Sequence, residues 1–261
     1  QKNAIVYHGV DLEVFKPISA EEKKMKRVQL GIEFDTLFLS VGRNTNRKQI
    51  PRLLEAFRKM LDKHPNPSSV GLMLHVGDPT DTMGMGGWNL DLLVQSYNLH
   101  ENVAFTDNSD NPLFGLTREE MARLYQLSDV HILSTGGEGF GIPSAEAMAC
   151  GIPIILPDNS TGPELVGEFG ETYRGILVPC STHITGPKWA VNLGLIDIDE
   201  LAEAMLKLAL DPDLRKKMGE AGREFAEEHF DWEKLTDQFE SLIAIAITEG
   251  HPLGNNARTL L

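Results

Sequence analysis

Six short apolar runs recur between residues 36 and 178, at 36–42, 70–77, 102–107, 129–134, 152–157 and 175–178, and helical patterns fill most of the spaces between them. No other feature of the chain constrains its fold as strongly. TLFLSVG, VGLMLHVG, IPIILP and GILV are apolar throughout rather than alternately polar. Strands of that kind are buried on both faces, which calls for a parallel sheet with helices on each side. Parallel crossovers are right-handed, so the expected fold class is α/β, a Rossmann-like doubly wound parallel sheet of about six strands.

The helical segments carry their own signals. Leu53, Leu54, Phe57 and Leu61 lie on one face of an amphipathic helix over 50–64. Ser19 with Glu22, and Thr117 with Glu120, form capping patterns that start two more helices. A further helix is expected over 90–99. Beyond residue 199 the pattern is helical only, over 199–210, 213–229 and 232–247. The last of these has an apolar stripe of Trp232, Leu235, Phe239, Leu242, Ile243 and Ala246, which should bury, with Trp232 as its anchor. AIVYHGVDLEVFKP should open as a short strand and end in a turn. The segment 181–197 has no clear period and reads as a long loop or insertion. The chain thus divides into a lead-in with a first strand (1–18), the α/β domain (19–230), a C-terminal helix (231–249) and a tail (250–261).

With 261 residues and 41% hydrophobic content, the chain can bury a core. Its net charge of −14 disfavours nucleic acid and anionic lipid as partners, and no apolar run reaches membrane-spanning length. Cys150 and Cys180 form no framework and suit free thiols in a cytoplasmic setting.

Ligands of open parallel sheets bind beyond the carboxyl ends of the strands. Three such ends here are unusual: VGRNTNRK after the first run, VGDPTD after the second, and GGEGFGIPSAEAMACG after the fourth. In the last, Pro143 suits the first turn of a helix, whose free amides and positive dipole end favour a phosphate. Arg43 and Lys48 add two cations from the neighbouring strand end, enough for a diphosphate. Glu138 and Glu146 flank the glycine-rich turn. Carboxylates beside a phosphate site suit hydroxyl groups, as on a sugar and a ribose. Asp199, in the Asp-Ile-Asp triplet at 197–199, is expected near a helix N-cap, and no metal site is expected. Two alternatives stand beside a donor-binding reading. One is a glycosidase using the two glutamates as acid and nucleophile; the other is a non-catalytic nucleotide-sugar binding module.

Glu138 and Glu146 have the E-x(7)-E spacing, inside EGFGIPSAEAMACG, and with VGRNTNRK, HGVD, LYQLSDVHILS and ELV the chain resembles the retaining GT-B glycosyltransferases over about residues 5 to 245. The resemblance is to the C-terminal, donor-binding half of that fold, with HGVD similar to an interdomain linker, and it implies an N-terminal acceptor domain absent from this sequence. It implies hexosyl transfer from a UDP or GDP sugar with retention and without a metal or other cofactor. It also implies Arg43, Lys48 and Glu138 as catalytic residues, with Lys48 and Arg43 on the diphosphate and Glu138 on the donor sugar. Gly42, Gly139, Phe140, Gly141 and Ile142 would line the donor, and Glu146 would hold the ribose. The implied partners are a nucleotide-sugar and the missing domain, which could also bring the chain to the inner membrane face. Gln49 departs from the pattern, which often has glycine there; His8 departs in the linker, and 181–197 is longer than expected.

Overall fold

The computed structural model describes residues 4–80, 86–106, 115–167, 173–186 and 190–248. The central sheet contains β1 (Thr36–Val41), β2 (Val70–His75), β3 (Val103–Phe105), β4 (Val130–Ile132), β5 (Ile154–Pro157) and β6 (Gly175–Val178), in the order β3-β2-β1-β4-β5-β6. Every neighbouring pair is parallel. Strand order reverses where β1 meets β4, with Phe38 opposite Val130 and Leu39 opposite His131. A ligand crevice is expected beyond the carboxyl ends at that reversal.

Adjacent apolar residues of one strand feed different cores. Phe38 packs with Leu53, Leu54 and Phe57 of α2 (Ile50–Lys63) and with Leu201 and Met205 of α7 (Ile198–Leu210). Leu39 packs on the other face with Tyr125 of α4 (Arg118–Leu127), Met148 of α5 (Ile142–Ala149) and Ala226 of α8 (Pro212–His229). Both side chains are fully buried. This is why the strands read as continuous apolar runs. α1 (Ala20–Gln29) starts where Ser19 Oγ accepts the Glu22 amide at 3.1 Å. Thr117 and Glu120 form the full capping box of α4. α3 (Leu90–Ser96), the short α6 (Gly162–Val166) and α9 (Trp232–Thr248) complete the helices.

Three expectations are corrected. Residues 4–9 form no strand; Val10 makes only an isolated bridge to Asp231, with its amide on the Phe230 carbonyl at 2.8 Å. That segment is held by aromatic packing instead of a ladder. His8 lies 5.4 Å from Trp232, and a Cβ on Gly9 would come within 2.3 Å of the indole. Second, the segment 181–197 is no loop. Its described residues lie mostly in the two strands of an antiparallel hairpin, β7 (Cys180–Thr185) with β8 (Asn192–Ile196). Nearly all of β7 is exposed, so no apolar alternation marked it. Third, the stripe of α9 stays largely uncovered: Leu235 is buried, but Phe239 and Ile243 are 56% and 54% exposed. Trp232 is itself half exposed, but its indole packs against His8 and Gly9 at the helix start. Residue 107 and the tail 250–261 lie outside the described residues. Among those described, no helix is long and apolar enough to cross a membrane.

Candidate functional site

The crevice at the β1–β4 reversal is built from two loops that are tied together. A 3₁₀ turn, Asn46–Lys48, follows β1 and leads into α2. The loop after β4 carries Ser134 to Gly141 into α5. The Gly136 amide donates to the Arg47 carbonyl at 2.8 Å, and Ser134 Oγ donates to the Lys48 carbonyl at 2.9 Å. Side chains complete the tie. Lys48 Nζ donates to Glu138 Oε1 at 2.8 Å, and Arg47 Nη1 donates to the same oxygen at 2.6 Å. Arg47 also donates to Thr135 Oγ1 at 3.2 Å and to the Gly137 carbonyl.

The Lys48 and Glu138 side chains are about nine-tenths buried. Burial pushes the Glu138 carboxyl up, but the Lys48 hydrogen bond and charge, the Thr135 hydroxyl and Arg47 together hold it below the usual carboxylate range. Burial likewise lowers the Lys48 ammonium, against the pull of Glu138. The two shifts point opposite ways for the pair's stability, and the converging contacts of two cations on one oxygen decide for an ionised Glu138. Gly42 leaves room for this lysine, since a Cβ there would sit 3.0 Å from Lys48 Cε.

The glycine-rich turn itself is open. Among the described residues no protein group accepts the amides of Gly139, Phe140, Gly141 or Ile142. Gly141 is the N-cap of α5 at φ 91°, a left-handed backbone that suits glycine, and it supplies no side-chain cap. The helix therefore presents uncapped donors just after Glu138, the partner of Lys48. Ser144 Oγ, also buried and without a protein partner, lines a recess with Glu138, Thr135 and Ser160. The Phe140 ring turns away, into a cluster with Tyr7, His8 and Phe230. A cavity of about 240 Å³ adjoins it, bounded by Tyr7, Gly139, Thr161 and Glu164.

A family model described as glycosyl transferases group 1 matches residues 22–225. The chain belongs to this family. It is 31% identical over 234 residues to D-inositol 3-phosphate glycosyltransferase of Streptomyces bingchenggensis, across 88% of this chain and 45% of that protein. Its structure is similar to sucrose-phosphate synthase from Thermosynechococcus elongatus, at 28% identity and a TM-score of 0.70, covering 93% of this chain and 52% of that one. Anabaena HepE, solved in complex with UDP and glucose, has the same fold at 19% identity, with a TM-score of 0.69 over 92% of this chain and 56% of that one. The fold is thus that of a GT-B glycosyltransferase domain, and the chain spans about half the length of the curated relatives it matches.

Within this group 1 domain the residues singled out from sequence do not all converge. Lys48, Glu138 and Gly42 come together, and the 139–142 turn follows Glu138 directly in the chain. Arg43 is exposed and makes no ion pair among the described residues. Glu146 shares no partner with Glu138. Its Oε2 accepts the Tyr125 hydroxyl at 2.9 Å, and burial raises its pKa despite that bond. Asp197 caps α7, and Asp199 pairs with Lys59 at 2.7 Å, so the Asp-Ile-Asp triplet is a helix start. Among the described residues no cluster of metal-ligand type occurs. Sequence reasoning passed over Arg47, whose only signal was its place next to Lys48. It also missed Ser160, whose hydroxyl accepts the Glu138 amide at 3.0 Å, and Tyr125, although LYQLSDV had been singled out.

Gln49 and the hairpin, two departures from the family pattern, turn out to be one feature. Gln49 adopts a left-handed backbone at φ 49°, which explains why glycine suits the position. Its side chain donates to the Gly194 carbonyl at 2.6 Å and accepts the Ile196 amide at 3.2 Å. Gly194 in turn donates to the Gly136 carbonyl at 3.0 Å. The hairpin is thereby fixed to the base of the loop after β4.

Proposed function

We propose that this domain binds a nucleoside-diphosphate sugar, with UDP or GDP as the nucleotide, for retaining, metal-independent hexosyl transfer to an acceptor held by an N-terminal domain of a longer protein. The observation that carries the reading is Lys48 paired with an ionised Glu138 that is directly followed in the chain by four open amides. In the transfer, the bond from the anomeric carbon to the diphosphate oxygen breaks and a bond to the acceptor oxygen forms. Negative charge grows on the leaving phosphate, so cations and donors already in place stabilise the transition state more than the bound donor. Lys48, Arg43 and the amides of 139–142 supply that charge, and the reading therefore calls for no metal. Glu138 takes a sugar hydroxyl, and Glu146, oriented by Tyr125, takes the ribose. The name of the inositol-phosphate relative supports glycosyl transfer, the HepE complex with UDP and glucose supports a nucleotide-sugar, and the E-x(7)-E resemblance supports retention. A glycosidase needs two carboxylates flanking one bond; Glu138 and Glu146 have separate partners on separate elements.

The test is calorimetric titration of the chain with UDP, GDP, ADP and their sugar conjugates. One diphosphate series should bind, with a Kd on the order of 10 μM to 1 mM because the site is an open face, and transfer to added acceptors should be slight. Lys48→Ala should weaken diphosphate binding by about 1.5–3 kcal/mol and leave the nucleoside alone. If no nucleoside diphosphate binds, the reading is wrong.

A further inference from the structure

A single oxygen of Glu138 is served by two cations, although the reading above gives one of them to the donor. Lys48 Nζ and Arg47 Nη1 lie 2.8 Å and 2.6 Å from Glu138 Oε1. When Lys48 turns to a diphosphate, it withdraws from a carboxylate whose side chain is only 12% exposed. A carboxylate so buried and stripped of its cation is strongly disfavoured. Arg47 is placed to prevent this, and its hold does not depend on Lys48. Its guanidinium also reaches Thr135 Oγ1 and the Gly137 carbonyl, and its own carbonyl accepts the Gly136 amide. Arginine keeps its charge under all ordinary conditions and can serve several acceptors of one loop, whereas a lysine ammonium is a point charge on a flexible stem. Gly42 leaves that stem free of a neighbouring side chain.

We infer that Arg47 is a positioning residue: it keeps Glu138 ionised and in place while Lys48 passes from Glu138 to the donor diphosphate. The inference rests on the donor-binding reading of this crevice. In the empty site Lys48 and Arg47 share the carboxylate; in the occupied site Arg47 holds it alone. The exchange moves one ion pair and no proton, and it leaves Glu138 free through Oε2 to accept a sugar hydroxyl. Among the described residues, Lys48 and Arg47 are the charged groups that reach Glu138.

The experiment is a double-mutant cycle on UDP affinity, with GDP as the second probe. Arg47→Ala should weaken UDP at least tenfold in the wild-type background but less than threefold in a Glu138→Gln background, and Arg47→Lys should restore part of the loss. Equal losses in both backgrounds would mean that Arg47 acts on the ligand or on loop folding, and would overturn the inference, as would no loss in either. A second arm needs no nucleotide. The Glu138 carboxyl is titrated by carbon-13 NMR in Lys48→Ala, which imitates departure of the lysine, and in Lys48→Ala/Arg47→Ala. The midpoint should remain low in the single variant and rise by at least one pH unit in the double. An unchanged midpoint in the double variant would also overturn the inference. If neither UDP nor GDP binds, the donor reading fails on its own, and the NMR arm still decides whether Arg47 holds Glu138.

Discussion

At the residue scale, the two glutamates of the E-x(7)-E pattern are not equivalent carboxylates. Glu138 is lowered by two cations and a hydroxyl acting against burial, whereas Glu146 is raised by burial against one tyrosine hydroxyl. Their substitutions should therefore separate. Glu138→Gln removes the charge that engages Lys48, so bare UDP or GDP should bind as well as before or more tightly, while the sugar conjugate loses about 1–3 kcal/mol with the lost acceptor. Weaker binding of the bare nucleotide would contradict the ion pair as the resting partner of Lys48. Glu146→Gln should weaken nucleotide and conjugate alike, and Tyr125→Phe should follow it with a smaller loss, because the phenyl ring fills the same buried site without orienting the carboxylate. Calorimetry on the three variants checks both statements, and a Tyr125→Phe effect confined to the conjugate would sink the second. Spacing made the pair legible in the sequence. What each carboxylate touches was not, because Arg47 and Tyr125 reach them across 91 and 21 residues of chain.

At the scale of elements, the sequence showed the sheet because each of its central strands is apolar on both faces, and it showed the α1 and α4 starts because a capping side chain lies three residues from its partner. Contacts that cross between elements left no local mark. Asp129, just before β4, accepts Lys23 at 2.7 Å, Arg27 at 2.6 Å and the Leu37 amide at 2.7 Å, and so ties α1 to β1 and β4. Burial pushes this carboxyl up, but the charges of Lys23 and Arg27 outweigh it and hold the pKa below the ordinary value. The stabilisation is thus full above the unfolded carboxylate pKa, near 4, and is lost as pH falls through the lower folded value. Asp129→Asn leaves two partly buried cations without their carboxylate and should cost about 3 kcal/mol in urea unfolding; a cost below about 1 kcal/mol would show the network to be incidental. The hairpin escaped notice for a similar reason, since its ties to the domain come from residues far away in sequence: Gln49, Arg52 through the Ile196 carbonyl at 2.8 Å, and the Gly136 carbonyl. Gln49→Ala removes both hydrogen bonds and keeps the left-handed backbone, at about 2 kcal/mol. Gln49→Gly removes the same bonds but relieves the backbone, and should be about 1 kcal/mol more stable than the alanine variant. Hydrogen exchange should show the Ile196 amide losing protection in both, and unaltered protection would remove Gln49 as the link.

At the scale of the whole molecule, the two cores meet at the sheet, and one polar ring lies inside that junction. His131 of β4 is fully buried, its ring nitrogens make no well-formed hydrogen bond, and the ring packs edge-on against Tyr125 at 5.8 Å. Burial, aided by the charge of Lys48 and only partly offset by a weak contact with the Leu39 backbone, lowers its pKa to about 3. The α9 stripe, by contrast, adds little to either core beyond Leu235, so deleting residues 236–261 should lower Tm by only a few degrees, while a larger fall would show that the helix packs more closely than its exposure indicates. His131 bears on the entire fold, because its strand lies at the centre of the sheet. The unfolded chain protonates this histidine near pH 6.5, and the folded chain does not until about pH 3. Between those values the unfolded state binds the extra proton, so stability rises with pH and is lost as pH falls, by about 1.4 kcal/mol per unit. His75 is lowered too, and Glu146 is raised, so a single unfolding curve mixes their contributions. A comparison with His131→Leu removes the mixture, because the other groups are common to both chains. The leucine fills a similar volume and gives up only the weak contact with the Leu39 backbone, so the variant should fold. From pH 7 to pH 5 the wild type should lose about 2 kcal/mol more stability than the variant, measured by urea unfolding at each pH. Parallel curves over that window would mean that the ring gains a partner or takes up a proton inside the folded domain.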